Sequence, residues 1–261
     1  MPASLLIHFF PKCELSRSAA SGKWLHGLVF NLFHRLDPDY ADQLHKRCDY
    51  KPFTLSPLLA EGNTKEVKAG QLCQVRLTLL DEEKLGEFLK VIADVQPLEL
   101  ALGNTPISLH KIEVSPKDGC PWVAYQSWQE LLDIPPEKFI ALKWHSPTAI
   151  KQKQRNSLFP ISETLFFSWQ QRWSRFSALP LPKVFSPDDW FSYSQTSSYQ
   201  LETTTVHFGN FKQKGFKGWA IYEITGNEAI QRTAAILSSF SLFCGTGYKT
   251  TIGMGQTTRE E

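Results

Sequence analysis

At 261 residues the chain is long for one compact domain and comfortable for two, and 42% hydrophobic with 13% aromatic residues is ample for packed cores. This excludes a disordered chain; the apolar stretch Leu5 to Phe10 is far too short to span a bilayer and lacks the basic lead of a signal peptide. Net charge is only +2, yet residues 81–137 hold 11 acidic side chains against 4 lysines, while residues 138–217 hold 11 Lys or Arg against 4 Asp or Glu. Such asymmetry fits a face meant for a polyanion about as well as ordinary solvated surface.

Leu5 to Phe10 reads as a short strand buried on nearly both faces. A helix follows from about Ser18 to Leu36, with Leu25, Leu28, Val29, Leu32, Phe33 and Leu36 on one face. Asp37-Pro38 breaks it, because proline lacks a donor and constrains its predecessor; a second short helix is predicted from Pro38 to about His45. Strands are predicted over Phe53 to Leu59 and Leu72 to Leu80, the latter alternating Cys73, Val75, Leu77 and Leu79 with Gln74, Arg76 and Thr78. Asp81 caps a helix to Asp94, and Ile107 to Val114 closes the unit, its phase slip near His110-Lys111 signalling a bulge. Strand, helix, strand, strand, helix, strand is the split βαβ order of a ferredoxin-like domain.

Residues 118–137 form a connection with a short helical piece around Gln126 to Leu132. The pattern then repeats: strand Phe139 to Trp144, helix Ser162 to Phe176, strand territory at Phe191 to Phe208 and Gly218 to Thr225, helix Asn227 to Phe243, strand Ile252 to Thr258. Asn227 caps the last helix and Gly245 sits just past its end. Pro180, Pro182 and Pro187 mark an irregular insertion. The predicted class is α+β, two tandem ferredoxin-like (βαββαβ) domains over residues 1–120 and 121–261.

Five cysteines (Cys13, Cys48, Cys73, Cys120, Cys244) are widely spaced without a C-x-x-C pair, which fits reduced thiols in a cytoplasmic protein. Histidine and carboxylate clusters with metal spacing are missing too, so no metal or cofactor is expected. The most specific signal is GTGYKTTIGMG, Gly245 to Gly255, whose two G-x-G pairs flank five residues including Lys249. A dinucleotide fingerprint needs a strand before and a helix after it, and a Walker loop needs Gly directly before Lys; both fail here. A plain glycine-rich bend remains compatible with function, since glycines admit close approach by a ligand or another chain segment and loop N–H groups can hold phosphate.

This tail resembles the C-terminal signature of the CRISPR repeat-processing endoribonucleases, within the superfamily of repeat-associated RNA-binding proteins. The family pattern is Gly-hydrophobic-Gly, five residues, Gly-hydrophobic-Gly; Thr246 takes the first hydrophobic position here. LHGLVFNLF (Leu25 to Phe33), DPDYADQLH (Asp37 to His45), KPFTLSPL (Lys51 to Leu58), WHSPTAI (Trp144 to Ile150) and GFKGW (Gly215 to Trp219) fall in the family's order and spacing.

The resemblance implies a metal-independent endoribonuclease acting in antiviral defence. RNA carries its own nucleophile: the 2′-hydroxyl attacks the adjacent phosphate, leaving a 2′,3′-cyclic phosphate and a 5′-hydroxyl, and the protein need only move protons, align groups and offset charge. The family's catalytic histidine corresponds to His45, and Lys51 matches an active-site lysine of some members. Phe30 stands where some relatives have a tyrosine and cannot donate a proton. His26 and His34 flank it and could substitute for that tyrosine, but the favoured reading is helix-surface histidine.

Lys151, Lys153, Arg155, Arg172, Arg175, Lys212, Lys214 and Lys217, with Gly245, Gly247, Lys249, Gly253 and Gly255, are the candidate RNA-binding residues. Trp169 and Trp173 at helix spacing read as core, and Phe211 and Phe216 lie among the lysines of an expected loop or hairpin tip. The expected partner is CRISPR repeat RNA, together with other CRISPR effector subunits, for a monomer or homodimer without membrane contact. The rival readings are a repeat-RNA-holding subunit that does not cut, and an unrelated enzyme whose glycine tail holds a nucleotide phosphate.

Overall fold

The computed structural model describes residues 1–46, 50–62, 65–94, 100–117, 120–152, 154–208 and 211–260. Cys48, Lys153 and the first two residues of the connecting region, 118–119, lie outside these. The first half runs β1 (Ala3–Pro11), α1 (Leu25–Leu36), α2 (Pro38–Lys46), β2 (Phe53–Leu55), β3 (Cys73–Leu79), α3 (Glu82–Asp94), β4 (Leu100–Leu102) and β5 (Thr105–Glu113). Its sheet is antiparallel in the order β2-β3-β1-β5-β4. Leu5, Ile7 and Phe9 of β1 share one core with Leu28, Val29 and Phe33 of α1, the helical stripe meeting the alternating strand. Lys111 pairs with His8 and Leu109 with Phe9, so His110 is the extra residue of the expected bulge.

The second half runs α4 (Trp128–Leu132), β6 (Phe139–Thr148), α5 (Ser162–Phe176), α6 (Pro187–Tyr193), β7 (Ser194–His207), β8 (Lys212–Ile224), α7 (Glu228–Cys244) and β9 (Thr257–Glu260). Its sheet order is β7-β8-β6-β9, again antiparallel. In both halves the second strand lies outermost, then the third, the first and the last, with β4 added beyond β5 in the first half. That shared order makes the chain α+β with tandem ferredoxin-like halves. Ala124–Tyr125 pairs with Ala3 and Ser4 of β1, so the chain returns to the first sheet after residue 120.

Several local expectations are corrected. The first long helix is not continuous: Ala20–Trp24 forms a π turn ahead of α1. Pro57 ends β2 early, and Leu59–Ala60 pairs separately with β3. Residues read as the start of a strand at Phe191, and Pro187 read as part of an irregular insertion, belong to α6. Ser186 accepts from the Asp189 N–H, the Asp189 side chain accepts from Ser186, and Pro187 occupies the first turn, where its missing donor costs nothing. The final strand begins at Thr257 rather than Ile252; Thr250–Ile252 is a single 3₁₀ turn.

The two halves are joined across a polar seam. Arg76 of β3, 1% exposed, donates from Nε to Ser4 Oγ (2.7 Å), from Nη1 to Gln256 Oε1 (2.7 Å) and from Nη2 to the Leu242 carbonyl (2.7 Å), with its guanidinium 5.0 Å from the Trp122 ring. Burial pushes its pKa down to about 9. Gln256 also donates to the Leu55 carbonyl at 3.0 Å, and Thr78 Oγ1 to the Phe243 carbonyl at 2.6 Å. The glycine-rich segment therefore lies against β2 and β3 of the first half.

Candidate active site

Asp37 separates the two helices that carry the histidines. Its N–H donates to the Phe33 carbonyl and ends α1, and its carboxylate accepts from the Tyr40 N–H at 3.0 Å and from Lys84 at 3.0 Å. These bonds hold the carboxyl below its ordinary range. Ala41 and Leu44 anchor α2 in the core, which leaves His45, in the last turn, exposed.

The His45 ring stands edge-on to Phe30, centroids 5.8 Å apart. On its other flank Phe30 meets His26 at 4.5 Å, and the Lys51 ammonium lies 4.9 Å from its centre. Phe30 is thus the shared wall of a cluster comprising His26, His45 and Lys51. His34, one turn beyond Phe30, is exposed and outside it.

His26 corrects the expectation of a surface residue. It is half-buried against Phe30 and Phe53, and its Nδ1 lies 3.0 Å from the Thr251 carbonyl. A carbonyl only accepts, so Nδ1 carries the proton. Burial lowers the pKa; the Thr251 bond opposes this, and Lys51 and His45 add to the lowering. At neutral pH the ring is therefore uncharged, with a lone pair on Nε2.

The glycine-rich segment is more closely tied to the protein than open amides would be. The N–H groups of Gly245, Thr246, Tyr248, Met254 and Gly255 donate to the carbonyls of Ser241, Gly255, Ala149, Lys249 and Pro147. Two glycines are required by close approach: a Cβ on Gly247 would come within 2.3 Å of the Ala149 oxygen, and one on Gly255 within 2.0 Å of the Thr246 oxygen. Lys249 adopts a left-handed φ of 61°, and its ammonium lies 3.7 Å from the Phe211 ring centre. Lys23 reaches the same ring at 5.9 Å; desolvation first, then Lys23, lowers the Lys249 pKa.

Arg172 is 6% exposed, and its guanidinium donates to the carbonyls of Cys244 and Gly247, the latter at 2.7 Å. It thereby holds the end of α7 and the first turn of the loop, satisfying carbonyls that a helix terminus strands. Trp169 does the same for the Gly245 carbonyl from Nε1 at 3.1 Å, while it and Trp173 are core.

Lys151 and Arg155 occupy the two short strands Ile150–Gln152 and Arg155–Ser157, both exposed, and Arg175 is exposed on α5. Lys212, Lys214 and Lys217 are on β8 rather than in a loop. Strand parity puts Lys212 and Lys214 on one face and Lys217 on the other, where it acts on His145. Phe216 is core, and Phe211 joins Phe208 at the hairpin end near Lys249.

Among the described residues no three His, Cys, Asp or Glu side chains converge as a metal site, and no helix is long and apolar enough to cross a membrane. Cys13, Cys73, Cys120 and Cys244 are free thiols. Burial pushes Cys73 up to about 11 and Cys244 up to about 12, which keeps both out of nucleophilic chemistry.

Comparison with known proteins matches residues 1–133 to the CRISPR Cas6 N-terminal domain and residues 142–257 to the CRISPR-associated endoribonuclease Cas6. A protein from Streptococcus thermophilus named CRISPR-associated endoribonuclease Cas6 is 24% identical over 236 residues, 88% of each chain. A Cas6 solved as a product complex superposes with a TM-score of 0.85 at 25% identity over all of both chains. Thermus thermophilus Cas6 gives 0.74 at 22% identity, over 100% of this chain and 98% of that one. With a family match across each half, the chain belongs to the CRISPR-associated endoribonuclease Cas6 family.

Proposed function

We propose that the protein cuts CRISPR repeat transcripts without a metal, by letting the RNA attack itself. The 2′-hydroxyl upstream of the cut adds to the adjacent phosphorus and the bond to the 5′-oxygen breaks, giving a 2′,3′-cyclic phosphate and a 5′-hydroxyl. Two proton transfers are needed, one from the 2′-hydroxyl and one to the leaving oxygen. Neutral His26, with its Nε2 lone pair, is the base, and solvent-facing His45 is the acid. Lys51 offsets the charge that gathers on phosphorus. Lys151, Arg155, Arg175, Lys212, Lys214, Lys217 and Lys249 neutralise flanking phosphates, while Arg172 holds the loop in shape.

The observation that carries this reading is the cluster itself: two imidazoles and an ammonium around Phe30, tied to the glycine-rich segment through Thr251. The test is a gel assay of purified protein on repeat RNA. Wild type cuts in excess chelator, His45→Ala loses ~10²–10⁴ in rate, and a single 2′-deoxy nucleotide upstream of the cut blocks cleavage while binding persists. Loss of cutting with chelator, or cutting of the deoxy substrate, overturns the mechanism. RNA held by wild type and left intact identifies a repeat-holding subunit instead.

A further inference from the structure

Two cavities meet along the seam beside the imidazoles. The first, about 420 Å³, is lined by Tyr50, Lys51, Lys151, Tyr248, Lys249 and Thr251, among others. The second, about 470 Å³, shares Tyr50, Lys151 and Tyr248 and continues to Thr164, Ser168 and Gln171 of α5. Both fall within the range that holds a small organic ligand. Lys51 and Thr251 link the first cavity to the histidine cluster, since one lies over Phe30 and the other accepts from His26.

Tyr50 and Tyr248 line both cavities, and each is held differently. The Tyr50 hydroxyl donates to Gln171 Oε1 at 3.2 Å, and the Arg172 guanidinium covers the ring at 4.8 Å. Tyr248 is anchored by its N–H on the Ala149 carbonyl at 2.8 Å, but its side chain is left 38% exposed. The ammonium groups of Lys249 and Lys151 lie 5.2 and 5.8 Å from its ring centre. An exposed aromatic ring with two ammonium groups over it, and a second aromatic ring lining the same nucleotide-sized space, match one ligand chemistry: a flat base joined to a phosphate.

We infer that this groove takes one unstacked nucleotide of the RNA close to the cut, its base against Tyr248 with Tyr50 as the opposing wall, and its phosphates on Lys151 and Lys249. The inference rests on the RNA-cutting reading above and adds to it a specific subsite. Stacking on an aromatic ring tolerates any base, so the subsite positions the strand rather than reading its sequence. Pulling one nucleotide out of the stack beside the cut also frees the backbone to turn in line for attack by the 2′-hydroxyl.

The experiment uses the full chain and repeat RNAs carrying a single abasic nucleotide, moved one position at a time across the cut. With wild type, one position weakens binding about 5- to 150-fold, the effect of losing one base stack. Tyr248→Ala binds intact RNA that much more weakly and becomes insensitive to the abasic site at that position, whereas Tyr248→Phe behaves as wild type because the ring face is kept. A wild-type protein that cuts intact RNA but shows a flat abasic scan overturns the subsite alone. So does Tyr248→Phe as weak as Tyr248→Ala. A wild-type protein that neither binds nor cuts repeat RNA overturns the parent reading as well. The scan on wild type needs no variant, so a misfolded Tyr248→Ala does not obscure the result.

Discussion

Replacing Arg76 with alanine tests whether the seam holds the two halves together. The change takes a donor from three acceptors, the buried Gln256 Oε1, Ser4 Oγ (which keeps its own bond to the Trp122 carbonyl) and the part-buried Leu242 carbonyl, and removes the cation from the Trp122 face. A buried acceptor without a donor costs ~1–3 kcal/mol, offset in part because a buried guanidinium no longer has to be desolvated. Taking the lower end for each acceptor gives a loss of roughly 3 kcal/mol. For a chain of this size that is a drop of about 6–12 °C in melting temperature. Arg76→Lys should recover little, because one ammonium cannot serve acceptors contributed by β1, α7 and the tail at once. Thermal melts by circular dichroism at neutral pH read the effect directly. An Arg76→Ala protein melting within about 2 °C of wild type would refute the reasoning, since three acceptors that lose their donor cannot cost so little.

Three further outcomes follow from the same geometry. Burial, then Lys143, pushes His145 down to about 4, so between there and the ordinary 6.5 the unfolded chain binds a proton the folded chain refuses. Stability thus falls as pH drops through that window, by at most about 1.4 kcal/mol per unit, and urea titrations at pH 7 and pH 5 should show a smaller decline in His145→Gln. His26→Asn keeps a donor for Thr251 but removes the Nε2 lone pair, so RNA binding persists while the cutting rate falls ~10²–10⁴; wild-type cutting should also fail on the acid side, below the ordinary histidine value, as His26 protonates. Gly255→Ala should lower the melting temperature more than Gly62→Ala: the two share φ near +70°, but only at 255 does the new methyl meet a carbonyl oxygen, at 2.0 Å.

Where a residue's environment comes from its own neighbours, its place was legible from the sequence. The alternation of Cys73 to Leu79 reads directly as β3, and the stripe from Leu25 to Leu36 as the buried face of α1, because one side of each packs into the same apolar core, although Arg76 and Thr78 on the other side of β3 are also buried, in the polar seam. His26 was not legible in this way. Its hydrogen-bond partner is a carbonyl 225 residues away and part of its cover is Phe53, so the local hint is its spacing of four from Phe30. The α6 segment carried a usable signal in Ser186, Pro187 and Asp189, but its aromatic content suggested a strand. The last strand was placed too early because Ile252 and Met254 look strand-like, whereas the positive φ at Lys249, Gly253 and Gly255 folds that stretch into a turn.

The bond from His26 to Thr251 also sets an order of events in time. A ribosome delivers both imidazoles and Lys51 some two hundred residues before it delivers the carbonyl that fixes the tautomer of His26. Until the second half has folded and docked, the first half carries the proposed acid–base groups without the Thr251 carbonyl that holds His26 and without the groove lined by the second half. On the proposed mechanism an emerging chain is inert toward the messenger that encodes it, and cutting competence arrives as a late, all-at-once property of the finished molecule.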